Sequence, residues 1–384
     1  MKSIDRSGKV GVLLVISCIL MLCTACGSDS VSASKINNDA SKADPANIVP
    51  ITLSPTTTPV IAPSATPAKP QAENGLTLGA PSTPDSTTTP ALTLPPTIPP
   101  TVPPTATPTV APTPDLPPAL KPIPMDPAYK EVQGNLFDGS FFSKILNKTV
   151  PYRIYLPPGY LTSTQHYPVL YMLHGASGSY QEWSSYKLPE DADKLIVAHT
   201  VKPMIIVLPS GDVGFWVDQA NGGPQYGQYM AKEVVPFIDS NYRTLPGPQN
   251  RAIGGLSMGA HGALQLGFNY PDIWGVIGSH SPTLRTYDQA QPFFGDQNWY
   301  NAHDPVPLAQ NLPLETLKSL KIWIDIGKDD SWLPRTQILS DILTQRGVPH
   351  QFHIFDGGHG GEYWTTNAPQ YLQFYADSML GTAH

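Results

Sequence analysis

Proline is the residue this chain spreads least evenly, and its placement decides what can fold. Of the 44 prolines, 24 lie between Pro45 and Pro127. Proline has no amide hydrogen to donate and a fixed φ of about −65°, so a stretch this dense cannot build helix or sheet ladders. The 257 residues from 128 to 384 hold the other 20. The chain therefore reads as a tail followed by one domain, and that domain is long enough to bury a large core.

The tail is low in complexity. Residues 96–109 read Pro-Thr-Ile-Pro-Pro-Thr-Val-Pro-Pro-Thr-Ala-Thr-Pro-Thr, and between Ala46 and Leu120 only Lys69, Glu73, Asp85 and Asp115 are charged. Such a segment buries too little apolar surface to offset its ordering entropy. Residues 27–127 are expected to form a disordered Pro/Thr-rich linker. Its polyproline II bias, at ~3.1 Å per residue, gives a reach of at most ~250 Å over about 80 residues. Ahead of it, Lys2, Arg6 and Lys9 precede an apolar run from Val10 to Leu22 and small residues at Thr24 and Ala25. A basic start, a short apolar run and small residues describe a secretory signal over residues 1–26. Leu22-Cys23-Thr24-Ala25-Cys26-Gly27-Ser28 resembles the bacterial lipobox, with Cys23 standing where that pattern has leucine. The resemblance implies a lipid on Cys26, a membrane anchor and an extracytoplasmic protein.

Other classes are excluded by charge and by missing motifs. A net charge of −7 gives no concentrated basic face for nucleic acid. All three cysteines, Cys18, Cys23 and Cys26, precede the domain, which therefore has no thiols for a disulfide or a thiolate metal site. The chain contains no phosphate loop, no His-Glu-x-x-His and no calcium loop, so no cofactor or metal is expected, with His280 the one histidine to watch.

Within residues 128–384, short apolar runs alternate with helical patterns. Arg153–Leu156, Val169–Leu173, Met204–Leu208 and Lys321–Ile326 read as strands. Tyr229–Tyr242 carries Met230, Val234, Phe237 and Ile238 on one stripe, and Arg335–Gln345 and Gln370–Met379 read as helices in the same way. This alternation predicts an α/β domain with a mostly parallel sheet, and Val132–Ile145 reads as an antiparallel extension.

Gly255-Leu256-Ser257-Met258-Gly259 stands between the strand pattern Arg251–Ile253 and the helical pattern Ala260–Tyr270. In that context G-x-S-x-G is a nucleophile elbow, a sharp strand-to-helix turn that lifts the serine hydroxyl clear of the sheet. The hydroxyl needs a base and the base an orienting carboxylate, in chain order Ser, Asp or Glu, His. His261 reads as a packing residue on the elbow helix, and His353 lies inside the strand His350–Phe355. His359 stands in the glycine-rich loop Asp356–Gly361 and is the candidate base. For the acid, Asp329 and Asp330 follow one strand and either could orient the imidazole, with Asp325 a third candidate. The oxyanion hole is expected from the amides of Met258 and of Ala176, in the loop Leu173–Gly178. His174 reads as structural rather than catalytic. It joins Trp216, Asp218 and Trp364 as the residues expected to line the substrate pocket.

Leu173-His174-Gly175 with Trp183, the elbow, Gly327-x-x-Asp330 and Gly358-His359 with Trp364 together resemble the esterase D family. Tyr-Leu-Pro-Pro-Gly-Tyr at 155–160 and the stretch Glu233–Tyr242 fit the same pattern. The family includes bacterial feruloyl esterases, enterochelin esterases, formylglutathione hydrolases and mycolyltransferases. The resemblance covers most of residues 130–380 and implies an α/β-hydrolase fold with helices on both faces of the sheet. It also implies a Ser257, His359 and Asp330 triad, and hydrolysis through an acyl-enzyme of feruloyl or acetyl esters, which polysaccharide would carry. Acyl transfer to a sugar, siderophore ester hydrolysis and a catalytically silent surface binding protein are the alternatives.

Overall fold

Short runs in which every residue is apolar can be satisfied only by a sheet covered on both faces, and that is how the centre of this domain is built. The structure is a computed structural model that describes residues 116, 120–125 and 132–380. The expected leader 1–26, its Cys26 and nearly all of the expected linker lie outside the described residues. The strands are β1 (Lys121–Ile123), β2 (Asn135–Ser143), β3 (Lys148–Leu156), β4 (Val169–Leu173), β5 (Ile205–Pro209), β6 (Arg251–Leu256), β7 (Val276–His280), β8 (Lys321–Gly327) and β9 (Gln351–Phe355). They form one sheet in the order β1-β2-β3-β5-β4-β6-β7-β8-β9. The first three are antiparallel additions, and β5 through β9 run parallel.

All residues of β4, β5, β6 and β7 are buried. Successive side chains alternate between two cores, as strand geometry requires. In β6, Ile253 faces a core shared with Leu264 and Phe268 of the elbow helix, whereas Ala252 and Leu256 face a core shared with Leu188, Tyr371 and Tyr375. Helix Met258–Asn269 thus covers one face, and helices Leu188–Val197 and Gly361–Ser378 cover the other. Among the described residues, no helix is long and apolar enough to cross a membrane.

Two readings of the sequence need correction. The domain does not begin at residue 128, because β1 pairs with β2 (Pro122 opposite Phe137), and Leu116 and Leu120 pack on the core. Pro122 sits in the outermost strand, where a missing amide hydrogen removes no interior ladder bond. The C-terminal helix begins at Gly361 rather than Gln370, with Pro369 inside it. Strand β7 and helix Leu188–Val197 have no counterpart in the sequence reading. The first carries Gly278, Ser279 and His280, which interrupt its apolar run, whereas the second places Leu188, Ala192, Leu195 and Ile196 at helical spacing, a signal that was available.

The chain leaves β4 for β5 on one side and later returns to β6 on the other. In open α/β sheets such a reversal opens a crevice beyond the carboxyl ends of the strands. The loops after β4, β6, β7, β8 and β9 all end there.

Candidate active site

Ser257 follows the last residue of β6 and precedes the first residue of helix Met258–Asn269, with φ 56° and ψ −116°. That is a sparsely populated backbone region for a residue with a Cβ, costing of order 1–3 kcal/mol unless the surroundings impose it. They do so through glycine. A Cβ on Gly255 would overlap the Gly259 backbone, and one on Gly259 would overlap the Leu173 carbonyl. The Ser257 amide donates to the His280 carbonyl at 3.1 Å, and its own carbonyl accepts from Thr283 at 3.3 Å. The turn is locked between β4 and β7, and its hydroxyl points outward.

Ser257 Oγ lies 2.8 Å from His359 Nε2, and His359 Nδ1 lies 2.7 Å from Asp330 Oδ2. Burial alone would raise the Asp330 carboxyl. Hydrogen bonds from the His359 ring, the Trp332 amide and the Ser281 hydroxyl hold it below the usual carboxylate range. An ionised carboxylate only accepts, so Nδ1 carries the hydrogen and the Nε2 lone pair faces the serine. Asp330 is 4% exposed, whereas Asp329 faces solvent. Asp325 is fully buried elsewhere, accepting from His280, Trp323, Tyr363 and Tyr371 at 2.6 to 2.9 Å. His280 is therefore a buried scaffold residue, its Nδ1 on Asp325 and its Nε2 2.9 Å from the Tyr375 hydroxyl. His261 packs edge-on to Phe215 and Phe294, and His353 stacks on Trp323.

The Met258 amide opens its helix and has no carbonyl in its own turn to bind. Ala176 is exposed in the loop after β4, beside Gly175, where a Cβ would crowd Leu256 and meet the Ser257 Cβ. The loop is held by Glu182, whose Oε2 accepts from the Gly175 amide at 2.7 Å. Neither Glu182 nor Ser281 was singled out by the sequence. The available signal was position: Glu182 opens the short helix just after a Gly-rich turn, and Ser281 immediately follows a strand that borders the elbow strand. Glu182→Ala is expected to lower kcat at least about tenfold, short of the 10²–10³ seen on losing an oxyanion donor outright. A kcat within twofold of the parent in steady-state assays would show that the loop holds its shape without it.

The expected pocket residues are placed differently. His174, Trp216 and Trp364 are 2%, 1% and 5% exposed. The indoles of Trp183, Trp216 and Trp364 donate to the carbonyls of Leu173, His174 and His280 at 2.9, 3.2 and 3.2 Å. A buried indole N–H needs an acceptor, and here the acceptors are the strand ends that carry the site. His174 Nε2 accepts from the Gly211 amide at 3.0 Å. Asp218 caps the turn into the next helix by accepting from the Gln228 amide, and it borders a recess containing neither Ser257 nor His359. His174, Trp216 and Trp364 thus brace the strand ends of the site, and Asp218 stands apart from it. Trp364 comes nearest to a direct part, standing edge-on to the His359 ring at 5.1 Å.

Burial holds His174, His303 and His353 below the ordinary histidine range, desolvation being the first cause in each. In the unfolded chain they return to about 6.5. As the pH falls below that value the unfolded chain takes up protons that the folded one refuses, so stability is lost. The depressed Asp330 extends the loss into the acid range in the same direction. The thermal midpoint is expected to fall steadily from pH 7 to pH 5 in a calorimetric series, and a flat or rising midpoint would contradict the assignment.

The parallel sheet, the strand-to-helix elbow and the crevice above them define an α/β-hydrolase. The model of the Esterase family matches residues 143–375. An acetyl esterase of Caldicellulosiruptor saccharolyticus is 26% identical over 270 residues, covering 62% of this chain and 98% of that one. An esterase of Mycobacterium tuberculosis is 27% identical over 239 residues, 54% of this chain and only 51% of its own length. Among solved structures, a ferulic acid esterase superposes with a TM-score of 0.59 at 28% identity, covering 64% of this chain and 99% of that one. The chain belongs to the Esterase family, and it is a carboxylic ester hydrolase.

Proposed function

We propose that the chain is a serine esterase that works through a covalent acyl-enzyme, with Ser257 as nucleophile, His359 as base and Asp330 as the orienting acid. The observation that carries this reading is the unbroken pair of hydrogen bonds, 2.8 Å and 2.7 Å, from Ser257 through His359 to Asp330. Ser257 Oγ attacks the acyl carbon as its proton passes to His359 Nε2, and Asp330 stabilises the imidazolium. The amides of Met258 and Ala176 bind the tetrahedral oxyanion. Collapse of that intermediate breaks the ester C–O bond, and His359 returns the proton to the departing alcohol. Water then attacks the acyl-serine, giving up a proton to His359, and as the acyl C–O bond to Ser257 breaks, His359 returns that proton to Ser257 Oγ and the acid leaves.

The substrate reading is an acetyl or feruloyl ester on an extracellular polysaccharide. Similarity to an acetyl esterase and to a ferulic acid esterase supports the acyl group. The residues before the domain support the polymer. A leader ending at Cys26 and a Pro/Thr-rich tether would hold the enzyme outside the cell and away from its membrane, where only an external substrate is within reach. Release of acetate or ferulate from esterified xylan, measured beside release from p-nitrophenyl acetate, tests the substrate. Polymer turnover below a hundredth of the small-ester value would remove it. Cys26→Ala is expected to move the activity from the membrane fraction to the medium, and an unchanged distribution would remove the anchor.

A further inference from the structure

Arg285 stands in the loop that follows β7, at the carboxyl end of the sheet, and has no contact with Ser257, His359 or Asp330 among the described hydrogen bonds and ion pairs. Its guanidinium carbon stands 4.9 Å from the ring centre of Phe215 and 4.8 Å from that of Trp332. Each of the three residues is tied closely to the site. Arg285 comes two positions after Thr283, whose amide donates to the Ser257 carbonyl at 3.3 Å. Trp332 comes two positions after Asp330 and donates its amide to Asp330 Oδ1 at 2.9 Å. Phe215 precedes Trp216, whose indole holds the His174 carbonyl beside the oxyanion loop. The cation is thus assembled from the loops after β5, β7 and β8, at the carboxyl ends of the strands, where ligands of such sheets bind.

What the guanidinium lacks is an acceptor. Among the described residues its Nη1 is buried with no hydrogen-bond partner. Burial lowers its proton affinity with no compensating anion among the causes. An aromatic ring attracts the charge of a guanidinium but gives its N–H groups no oxygen to bind, and the planar N–H fork of arginine matches a carboxylate. The backbone is fixed meanwhile, since the Arg285 carbonyl accepts from the Tyr300 hydroxyl at 2.6 Å.

We infer that Arg285 is a substrate-recognition residue that binds a carboxylate carried by the ester, making acidic esters the preferred substrate class. The inference rests on the triad reading above and adds to it the charge of the substrate. The carboxylate can reside on the alcohol side, as in a uronic acid unit of a polysaccharide, or on the acyl side, as in the half-ester of a dicarboxylic acid.

Two pairs of esters separate these sources. For the alcohol side, 4-carboxyphenyl acetate is compared with 4-carbamoylphenyl acetate. For the acyl side, the mono-p-nitrophenyl ester of adipic acid is compared with p-nitrophenyl hexanoate. In the parent enzyme the charged member of one pair is expected to show a kcat/KM about tenfold to a hundredfold above its neutral partner, the range of a charge-assisted hydrogen bond. The pair that shows it identifies the side. Arg285→Gln is expected to lower that ratio at least tenfold, with Arg285→Lys intermediate because a point charge cannot bind in a fork. Ratios near one in both pairs for the parent enzyme would overturn the inference without any variant. So would a ratio left intact by Arg285→Gln in protein that melts like the parent. Absence of turnover on all four esters would overturn the triad reading beneath it.

Discussion

Ser257→Ala is expected to lower kcat for p-nitrophenyl acetate by at least about 10⁴-fold, leaving only what substrate binding and the oxyanion hole supply. The expectation follows from the geometry rather than from the motif. The elbow imposes φ 56° on Ser257, and His359 Nε2 stands 2.8 Å from the hydroxyl with its lone pair set by Asp330. Alanine removes the attacking atom and little else. The amide of residue 257 still donates to the His280 carbonyl, so the fold and the thermal midpoint are expected to hold. A variant retaining more than a hundredth of the parent kcat would place the chemistry elsewhere.

The second large effect separates two adjacent aspartates. Asp330→Asn is expected to cost about 10³- to 10⁴-fold in kcat, because an amide at this position can donate to Nδ1 and so favours the wrong imidazole tautomer. Asp329→Asn is expected to stay within about threefold of the parent. Asp330 is buried and accepts from His359, Ser281 and the Trp332 amide, whereas the exposed Asp329 touches none of them with its side chain. Comparable losses in the two variants, or a larger one at Asp329, would contradict the assignment. A charge effect spread over the loop would move both alike, so the pair of measurements reads orientation specifically.

The elbow was legible because its signal is local: two glycines at fixed spacing, an apolar strand before them and a helix after. His359 was legible for a related reason, since a histidine flanked by glycines on both sides has no packing duty. Strands β4 and β5 were legible because burial on both faces writes itself as an apolar run, whereas the equally buried β7 carries Gly278, Ser279 and His280 and was not. What the sequence concealed is what tertiary structure decides. Asp329 and Asp330 are neighbours of one chemistry, and only the turn after β8, in which the Asp330 amide returns to the Gly327 carbonyl at 3.1 Å, turns one inward. Trp216 and Trp364 resembled pocket walls because aromatic residues near a site bind ligands as well as they fill cores. Their indole hydrogens, spent on the carbonyls of His174 and His280, show which use applies. Pro122 concealed the first strand because its tolerance depends on being at the sheet edge, a property of the assembled sheet alone. Arg285 carried no sequence signal, since its character comes from two rings 70 and 47 residues away along the chain.

The central claim is that ester cleavage passes through a covalent bond to Ser257, and one labelling experiment reads it directly. Folded protein is treated with a fluorophosphonate ester, digested and analysed by mass spectrometry, with residual esterase activity followed in parallel. The account predicts one equivalent of phosphonyl group on the peptide containing Ser257, appearing as activity disappears and absent from Ser257→Ala. Full esterase activity in protein that takes up no label, or label on a residue other than Ser257 in step with lost activity, would contradict it.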